Sequence, residues 1–318
     1  RIANVSGDSI ATPTADAKTS GRRTSLANWL TRADNPLATR VLVNRLWQGH
    51  FGRGIVASSS DFGVMGNSPT HPELLDWLAT ELPRLDWSRK RLHRLMVTSS
   101  VYRMKSGEWR VVSGQQDKNR TDSVSSNSPL ATHHSQLFTS FPRRRLDGEA
   151  IRDALLSASG ELNRQPGGPG FRPPLPDELV RTLLKNQWPV TPEVEQHRRR
   201  SVYLFARRNL RYPLFEAFDK PDANTSCPCR NVSTIAPQAL LLLNSNDSLQ
   251  AARQLAKTIT EQTGSDRRAG IELAYRRILN RQAKPDELRR AEEFLTSNSD
   301  LSDLCLALFN VNEFVYVD

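Results

Sequence analysis

The sequence predicts a mainly α-helical fold, a multi-helix globular domain with few short strands and one long disordered insertion. Three observations predict it. Apolar residues recur at helical spacing in segment after segment, opened by a cap or a proline. The strand–helix alternation of an α/β fold is absent. One interval, 105–135, loses periodicity altogether.

Residues 1–21 are small and polar and read as a flexible lead-in, so the domain is expected over 22–318. "TSLANWLTRA" opens with Thr24 or Ser25 as cap. In "NPLATRVLVNRLWQGHFG", Asn35 caps, Pro36 takes the first helical position, and Gly49 or Gly52 ends the helix. Asn44, Trp47, Gln48 and Phe51 then share one stripe. "HPELLDWLATEL" repeats the proline signal, with Leu74, Leu75, Leu78 and Leu82 inward. In "DWSRKRLHRLMVTSS", Ser88 caps and Trp87 staples to Leu92, while Leu92, Leu95, Met96 and Ser99 line the buried face.

The Ser-, Asn- and Gln-rich stretch that follows carries His133 and His134, an adjacent pair that reads as solvated. In "FPRRRLDGEAIRDALLSASG", Asp147 caps, Ile151, Ala154, Leu155 and Ala158 face inward, and Gly160 closes the helix. "NRQPGGPGFRPPLP" is a loop, "PDELVRTLLK" a short helix, and "RRSVYLFARR" the best strand. "STIAPQALLLLNSNDSLQAARQLAKTITEQ" reads as two helices meeting near Asn244, and three more helices complete the chain.

The 318 residues, 37% hydrophobic and 25% charged, suit a globular protein that buries a real core. The longest apolar run, "ALLLL", is too short to span a bilayer. The first residue is Arg1 and no apolar signal segment precedes it, so the chain reads as a processed product or excised piece. Its net charge of +10 attracts polyanions. Nucleic acid is disfavoured as a partner, because none of the usual binding motifs is present and arginine also serves buried carboxylate pairs. Cys227 and Cys229 flank Pro228 in poor geometry for a mutual bridge. No C-x-x-C-H is present, so no cofactor is expected in this chain.

"NPLATRVLVNRLWQGHFGRGIVASSSDFGVMGNSPTHPELLDWLA", "FPRRRLDGEAIRDALLSASG" and "FDKPDANTSCPCRNVSTIAPQALLLLN" together resemble the planctomycete PSD-one family, a domain of unknown function. The ending, from "LAYRRILNRQAKPDELRRAEEFL" to "LCLALFNVNEFVYVD", fits as well. The resemblance implies the C-terminal part of a large exported protein, lying downstream of a cytochrome-c-like haem domain and another uncharacterised domain. It implies an extracytoplasmic location and a role in polysaccharide use or surface redox chemistry. It supplies no catalytic residues. Around "SCPCR" the family pattern has one cysteine followed by paired arginines, so Cys229 stands in place of a basic residue and no dithiol is required.

Four constellations carry candidate chemistry. His50, Asp61 and His71 have the ligand types of a two-His-one-carboxylate iron site. The favoured reading is structural, with no metal: Asp61 lies in a Gly/Ser loop and His71 at a helix start, where such groups cap backbone N–H. With Asn44, Arg45 and Trp47 they form an expected polar cluster, in which Asn44 bonds the loop backbone near Asp61. "FGRGIVASSSDFGVMGN" follows no strand and lacks G-x-x-x-x-G-K-[ST], so it is not a nucleotide loop. Glu149, Arg152 and Asp153 share one helix face and read as an ion-pair network with Arg143, Arg144 and Arg145, or as an arginine cluster for sulfate or carboxylate. In "FDKPDANTSCPCRNVST", Asp219 and Asp222 are the candidates for acid/base work if close and partly buried. Alternatively an Asp–Arg bridge pins the loop, with Ser233 or Thr234 as cap, and Arg230, Ser233 and Thr234 bind an anion at the helix start. The leading expectation is an accessory module that binds acidic polysaccharide through an Arg-rich face. A glycan-active enzyme centred on Asp219, Asp222 and Arg230, and a structural docking domain, are the alternatives.

Overall fold

The computed structural model describes residues 21–32, 35, 37–103, 143–184, 187–296 and 300–317. The expected lead-in and the expected insertion with His133 and His134 lie outside the described residues, apart from Gly21. The mainly α class is borne out: fifteen α-helices accompany a single two-stranded sheet among the described residues. The chain divides into two compact units at Arg143/Arg144, where the sequence reading had run one domain from 22 to 318.

Unit 1 holds α1 (Arg22–Thr31), α2 (Ala38–Phe51), α3 (Pro72–Arg84), α4 (Arg89–Val97) and α5 (Ser100–Arg103). Asn35 starts α2 as expected, its Oδ1 accepting from the N–H groups of Leu37 at 2.9 Å and Ala38 at 3.2 Å. Gly52 ends the helix with φ 79°, a conformation that costs an L side chain. Val43, Trp47 and Phe51 from α2 meet Leu75, Leu78 and Leu82 from α3 and Leu92 and Met96 from α4 in one apolar core. Ser88 caps α4 through the N–H of Arg91. The expected staple from Trp87 to Leu92 is not made. Asp86 and Trp87 both adopt left-handed backbone, φ 54° and 57°, and the indole stays outside the core, 38% exposed.

The α2–α3 loop is held from inside. Asn44 is fully buried on the core stripe, and its amide closes a two-bond ring with one backbone unit. Nδ2 donates to the carbonyl of Val56 at 3.0 Å, and the Val56 N–H donates to Oδ1 at 2.8 Å. The clamp therefore falls at Val56 rather than near Asp61, because Ile55 and Val56 are the loop residues that enter the core. Gly54 makes this approach possible: a Cβ there would stand 2.6 Å from the Val56 carbonyl and 2.7 Å from Asn44 Nδ2.

Unit 2 holds β1 (Arg144–Arg145), α6 (Gly148–Ser159), α7 (Asp177–Thr182), α8 (Val194–His197), a 3-10 turn (Ser201–Tyr203), α9 (Pro213–Ala217), α10 (Ala236–Asn244), α11 (Asn246–Thr263), α12 (Arg267–Leu279), α13 (Pro285–Thr296), α14 (Leu301–Phe309), α15 (Asn312–Val315) and β2 (Tyr316–Val317). The two strands pair antiparallel, Arg145 opposite Tyr316. The long helix α11 packs against α6, α12 and α14, burying Ala251, Ala252, Leu255 and Ile259. Alanines at two of these positions let the neighbouring helices approach closely. Ile151, Leu155, Ile271, Ala274, Leu304, Cys305 and Phe309 complete this core from the surrounding helices. Burial pushes the Cys305 thiol up to about 12. Ser245 ends the junction at Asn244 by capping α11.

"RRSVYLFARR" is not a strand. It forms the 3-10 turn flanked by isolated bridges, Asn163 with Arg199 and Phe171 with Leu204. The partner segment is the Pro/Gly loop, which cannot supply a continuous ladder. Side chains fix it instead: Arg152 donates to the carbonyls of His197 and Arg199 and to Ser201, and Asp153 accepts the Ser201 N–H at 2.7 Å.

Asn44→Ala should destabilise unit 1 by about 1–3 kcal/mol, the usual cost of stranding buried polar groups, here the Val56 N–H and carbonyl. Urea unfolding checks this, and an unchanged midpoint would contradict the clamp.

Candidate functional site

The best-built polar centre lies in unit 2, where the two ends of "FDKPDANTSCPCRNVSTIAPQ" meet. The helix α9 ends in left-handed backbone at Asp219, φ 59°, a region Asp tolerates better than most residues. That turn sends the carboxylate back toward Ser233. On the other side, the β1–β2 pairing leaves Arg144 half-buried and turns Arg145 inward, 5% exposed. Arg145 Nη2 reaches Asp219 Oδ2 at 2.8 Å and the Phe218 carbonyl at 3.3 Å, and Nη1 reaches the Ser233 carbonyl at 2.8 Å. The guanidinium also lies 5.2 Å from the centroid of the Phe218 ring.

Ser233 completes the carboxylate's shell, donating from N–H at 2.8 Å and from Oγ at 2.9 Å. Burial works to raise the pKa of Asp219, but the bonds from Ser233 and the Arg145 guanidinium outweigh it and hold the carboxyl below its ordinary value. Gln238, in the first turn of α10, donates to the carbonyls of Ala217 at 3.0 Å and Ser233 at 3.2 Å. Its Oε1 receives the Ile235 N–H at 3.4 Å, the Gln half of a capping box that Ile235, having no acceptor, does not complete. Thr234 bonds Tyr316 Oη at 3.0 Å. Ser233 and Thr234 are thus ties to Asp219 and β2 rather than side-chain caps of α10.

Residues 223–232 of the loop are exposed, and 220–222 are half-buried. Asp222 turns onto Asn224, accepting its N–H at 3.0 Å, and lies 3.8 Å from Arg211. It makes no pair with Asp219, whose partners are Arg145 and Ser233. Arg230 grips Glu149 in a fork, at 2.9 and 3.2 Å, with Asp147 at 3.3 Å. Lys220 adds a contact to Glu149 at 3.6 Å. Burial opposes ionisation of Glu149, yet the Arg230 fork wins and holds its carboxyl below the usual range. Cys227 and Cys229 are exposed free thiols at the loop tip.

The expected network of Glu149, Arg152 and Asp153 is divided. Glu149 faces the loop, while Arg152 and Asp153 hold the 197–201 segment described above. Arg143 is exposed. A second, half-buried contact, unread in the sequence, joins Tyr212 Oη to Asp247 Oδ2 at 2.6 Å, and desolvation pushes the phenol upward. Gln238, Tyr316 and Tyr212 were also missed. Gln238 alone left a signal, as the residue after a proline at a helix start.

In unit 1 the polar residues of 43–79 are spread over α2, the α2–α3 loop and the start of α3. Arg45 is exposed and bonds Ser60 at 3.2 Å. Trp47 stacks on Phe51 at 4.1 Å. His50 Nε2 meets His93 Nδ1 at 2.7 Å. Asp61 is exposed and accepts the Gly63 N–H at 2.9 Å, and His71 precedes α3 without a side-chain cap bond. Among the described residues no group of three His, Cys, Asp or Glu is placed to hold a metal ion.

A family model, PSD1, protein of unknown function (DUF1553), matches residues 22–295. No curated protein and no solved structure matches the chain.

The depressed Asp219 carboxyl makes a signed prediction. Its contribution to stability is present above the ordinary Asp value of about 3.9 and is lost as pH falls through the folded-state value. Urea midpoints followed from about pH 6 down to about pH 2 should therefore drop less steeply in Asp219→Asn than in the wild type. Parallel acid limbs would contradict the assignment.

Proposed function

The chain belongs to the PSD1 family of unknown function, and from that premise we propose that it is a binding module for acidic glycans and not an enzyme. One observation supports this most: the carboxylate that an acid/base role would need, Asp219, is bound by an inward guanidinium and by both donors of Ser233. A carboxylate so engaged is held ionised, and most of its accepting capacity is spent on Arg145 and Ser233. Asp222 is turned into its own loop. Such a site rigidifies a loop; it does not move protons. The family resemblance extends the proposal to an extracytoplasmic setting beside cytochrome-like domains, in polysaccharide use. Among the described residues, no helix is long and apolar enough to cross a membrane.

The basic face is better sought in 198–211 than in the motif loop. Arg145 is consumed by the pin, and Arg230 is held by Glu149 and Asp147. Arg200 keeps 60% of its side chain exposed with Asp153 only at 3.7 Å, and Arg208 is exposed. Guanidinium forks match carboxylate and sulfate oxygens.

Titration with sulfated, carboxylated and neutral oligosaccharides at two salt concentrations tests the proposal. Acidic chains should bind and weaken with salt, because exposed contacts are screened over about 8–10 Å at physiological ionic strength. Arg200→Ala and Arg208→Ala should each weaken binding by about 1.5- to 5-fold, the range for exposed charge contacts, and Arg230→Ala by less. No binding, or equal salt-independent binding of neutral chains, would overturn it.

A further inference from the structure

We propose that unit 2 contains a discrete pocket for a small hydroxylated carboxylate, with Arg199 as its anion anchor. The inference deepens the acidic-glycan reading and rests on it for the class of ligand, but the site is different from the motif loop. A cavity of about 400 Å³ opens between the Pro/Gly loop and the 191–199 segment, lined among others by Gln165, Gly167, Gly168, Thr191, Gln196 and Arg199. That volume falls in the range of about 300–1,000 Å³ typical of small-ligand sites.

Arg199 is the unusual feature. It is only 2% exposed, yet its guanidinium meets only neutral acceptors among the described residues. Nη1 donates to the Pro169 carbonyl at 3.0 Å and to Gln196 Oε1 at 3.2 Å, and Nη2 donates to the Gly167 carbonyl. Nε is buried with no partner, as are those of Arg145 and Arg152, so what sets Arg199 apart is the missing carboxylate together with its place in the cavity wall. A buried charge is normally paired with an opposite one. Arg145, equally buried, has Asp219; Arg199 has no such carboxylate. Arg152 shares that lack but does not line the cavity. Of the five N–H groups, the one on Nε and one on Nη2 are left, donors of the type that grips a carboxylate.

The surroundings hold this anchor still. The guanidinium lies 4.1 Å from the centroid of the Tyr203 ring. Tyr203 Oη accepts the Gly167 N–H at 2.8 Å, fixing the loop on the opposite side. Gly167 and Gly168 both have left-handed backbone, φ 77° and 82°, and a Cβ on Gly168 would stand 3.8 Å from Nη1 of Arg199. Thr191 joins the two walls, its N–H donating to the Arg172 carbonyl and its Oγ accepting the Arg172 N–H, both at 2.9 Å. Gln165, Gln196 and the exposed Glu193 line the same cavity and supply partners for hydroxyl groups. One buried cation, with several neutral hydrogen-bonding groups and a single carboxylate at the exposed Glu193, suits a singly charged sugar acid better than a polyanion.

The test is an amide NMR titration of the full chain with galacturonate, with glucose as the neutral control. Galacturonate should shift the amides around Gly167, Gly168 and Thr191, and glucose should not. Arg199→Gln should weaken galacturonate by about tenfold or more, the usual loss for a hydrogen bond to a charged group. Gln165→Trp, at an exposed position, should block entry and decides the matter if Arg199→Gln fails to fold. No shifts at the cavity, or shifts retained in the folded variants, would overturn the proposal. Polysaccharide binding that persists in Gln165→Trp while galacturonate never shifts these amides would sink this site and leave the acidic-glycan reading standing. Galacturonate in the cavity with no binding of any polymer would do the reverse.

Discussion

The contact between Arg145 and Asp219 is the constraint on which the architecture of unit 2 around the motif turns. It joins the only sheet among the described residues to the end of α9, and through Ser233 and Gln238 to the start of α10. Two charges taken this far from water are stabilising only when their remaining hydrogen-bonding capacity is met. Here the Ser233 N–H and hydroxyl serve the carboxylate, and the carbonyls of Phe218 and Ser233 serve the two terminal guanidinium nitrogens, while Arg145 Nε is buried without a partner. The exposed loop between Lys220 and Val232 is thereby closed at its base, and its length costs little once the ends are fixed.

The same logic explains where much of the positive charge goes. The net charge of +10 invites a polyanion reading, but the arginines do different work. Arg145 balances a carboxylate, Arg152 ties carbonyls of an irregular segment, and Arg230 crosses from the loop to α6. Segments that lack strand or helix hydrogen bonds must satisfy their carbonyls by other means, and the guanidinium fork is well suited to that. A polymer would meet chiefly the arginines outside such ties, which is why the proposed basic face lies away from the motif.

The fold was largely legible in the sequence because helix boundaries are local. Asn35, Ser88, Gly52 and Gly160 stop or start helices through bonds within a few residues. The junction at Asn244 was equally local. What could not be read was long-range partnership. Asp219 and Arg145 are far apart in sequence, so an Asp–Arg bridge was foreseeable but its arginine was not. The clamp of Asn44 was expected from its place on the apolar stripe, yet its target, Val56, depended on which loop residues enter the core. The strand expected at "RRSVYLFARR" failed for a related reason: β-favouring residues need a partner edge, and the Pro/Gly segment beside them offers only isolated bridges. Arg199 carried no signal at all, since its lack of a carboxylate is visible only in three dimensions.

The most direct test of the central claim is a double-mutant cycle on Arg145→Met and Asp219→Asn, read by urea unfolding. A pair that closes the loop from a buried position should show a coupling energy of about 2–3 kcal/mol, toward the upper end for contacting residues. Effects that add to within about 0.5 kcal/mol would mean that the two groups act independently, and that something else holds the motif together.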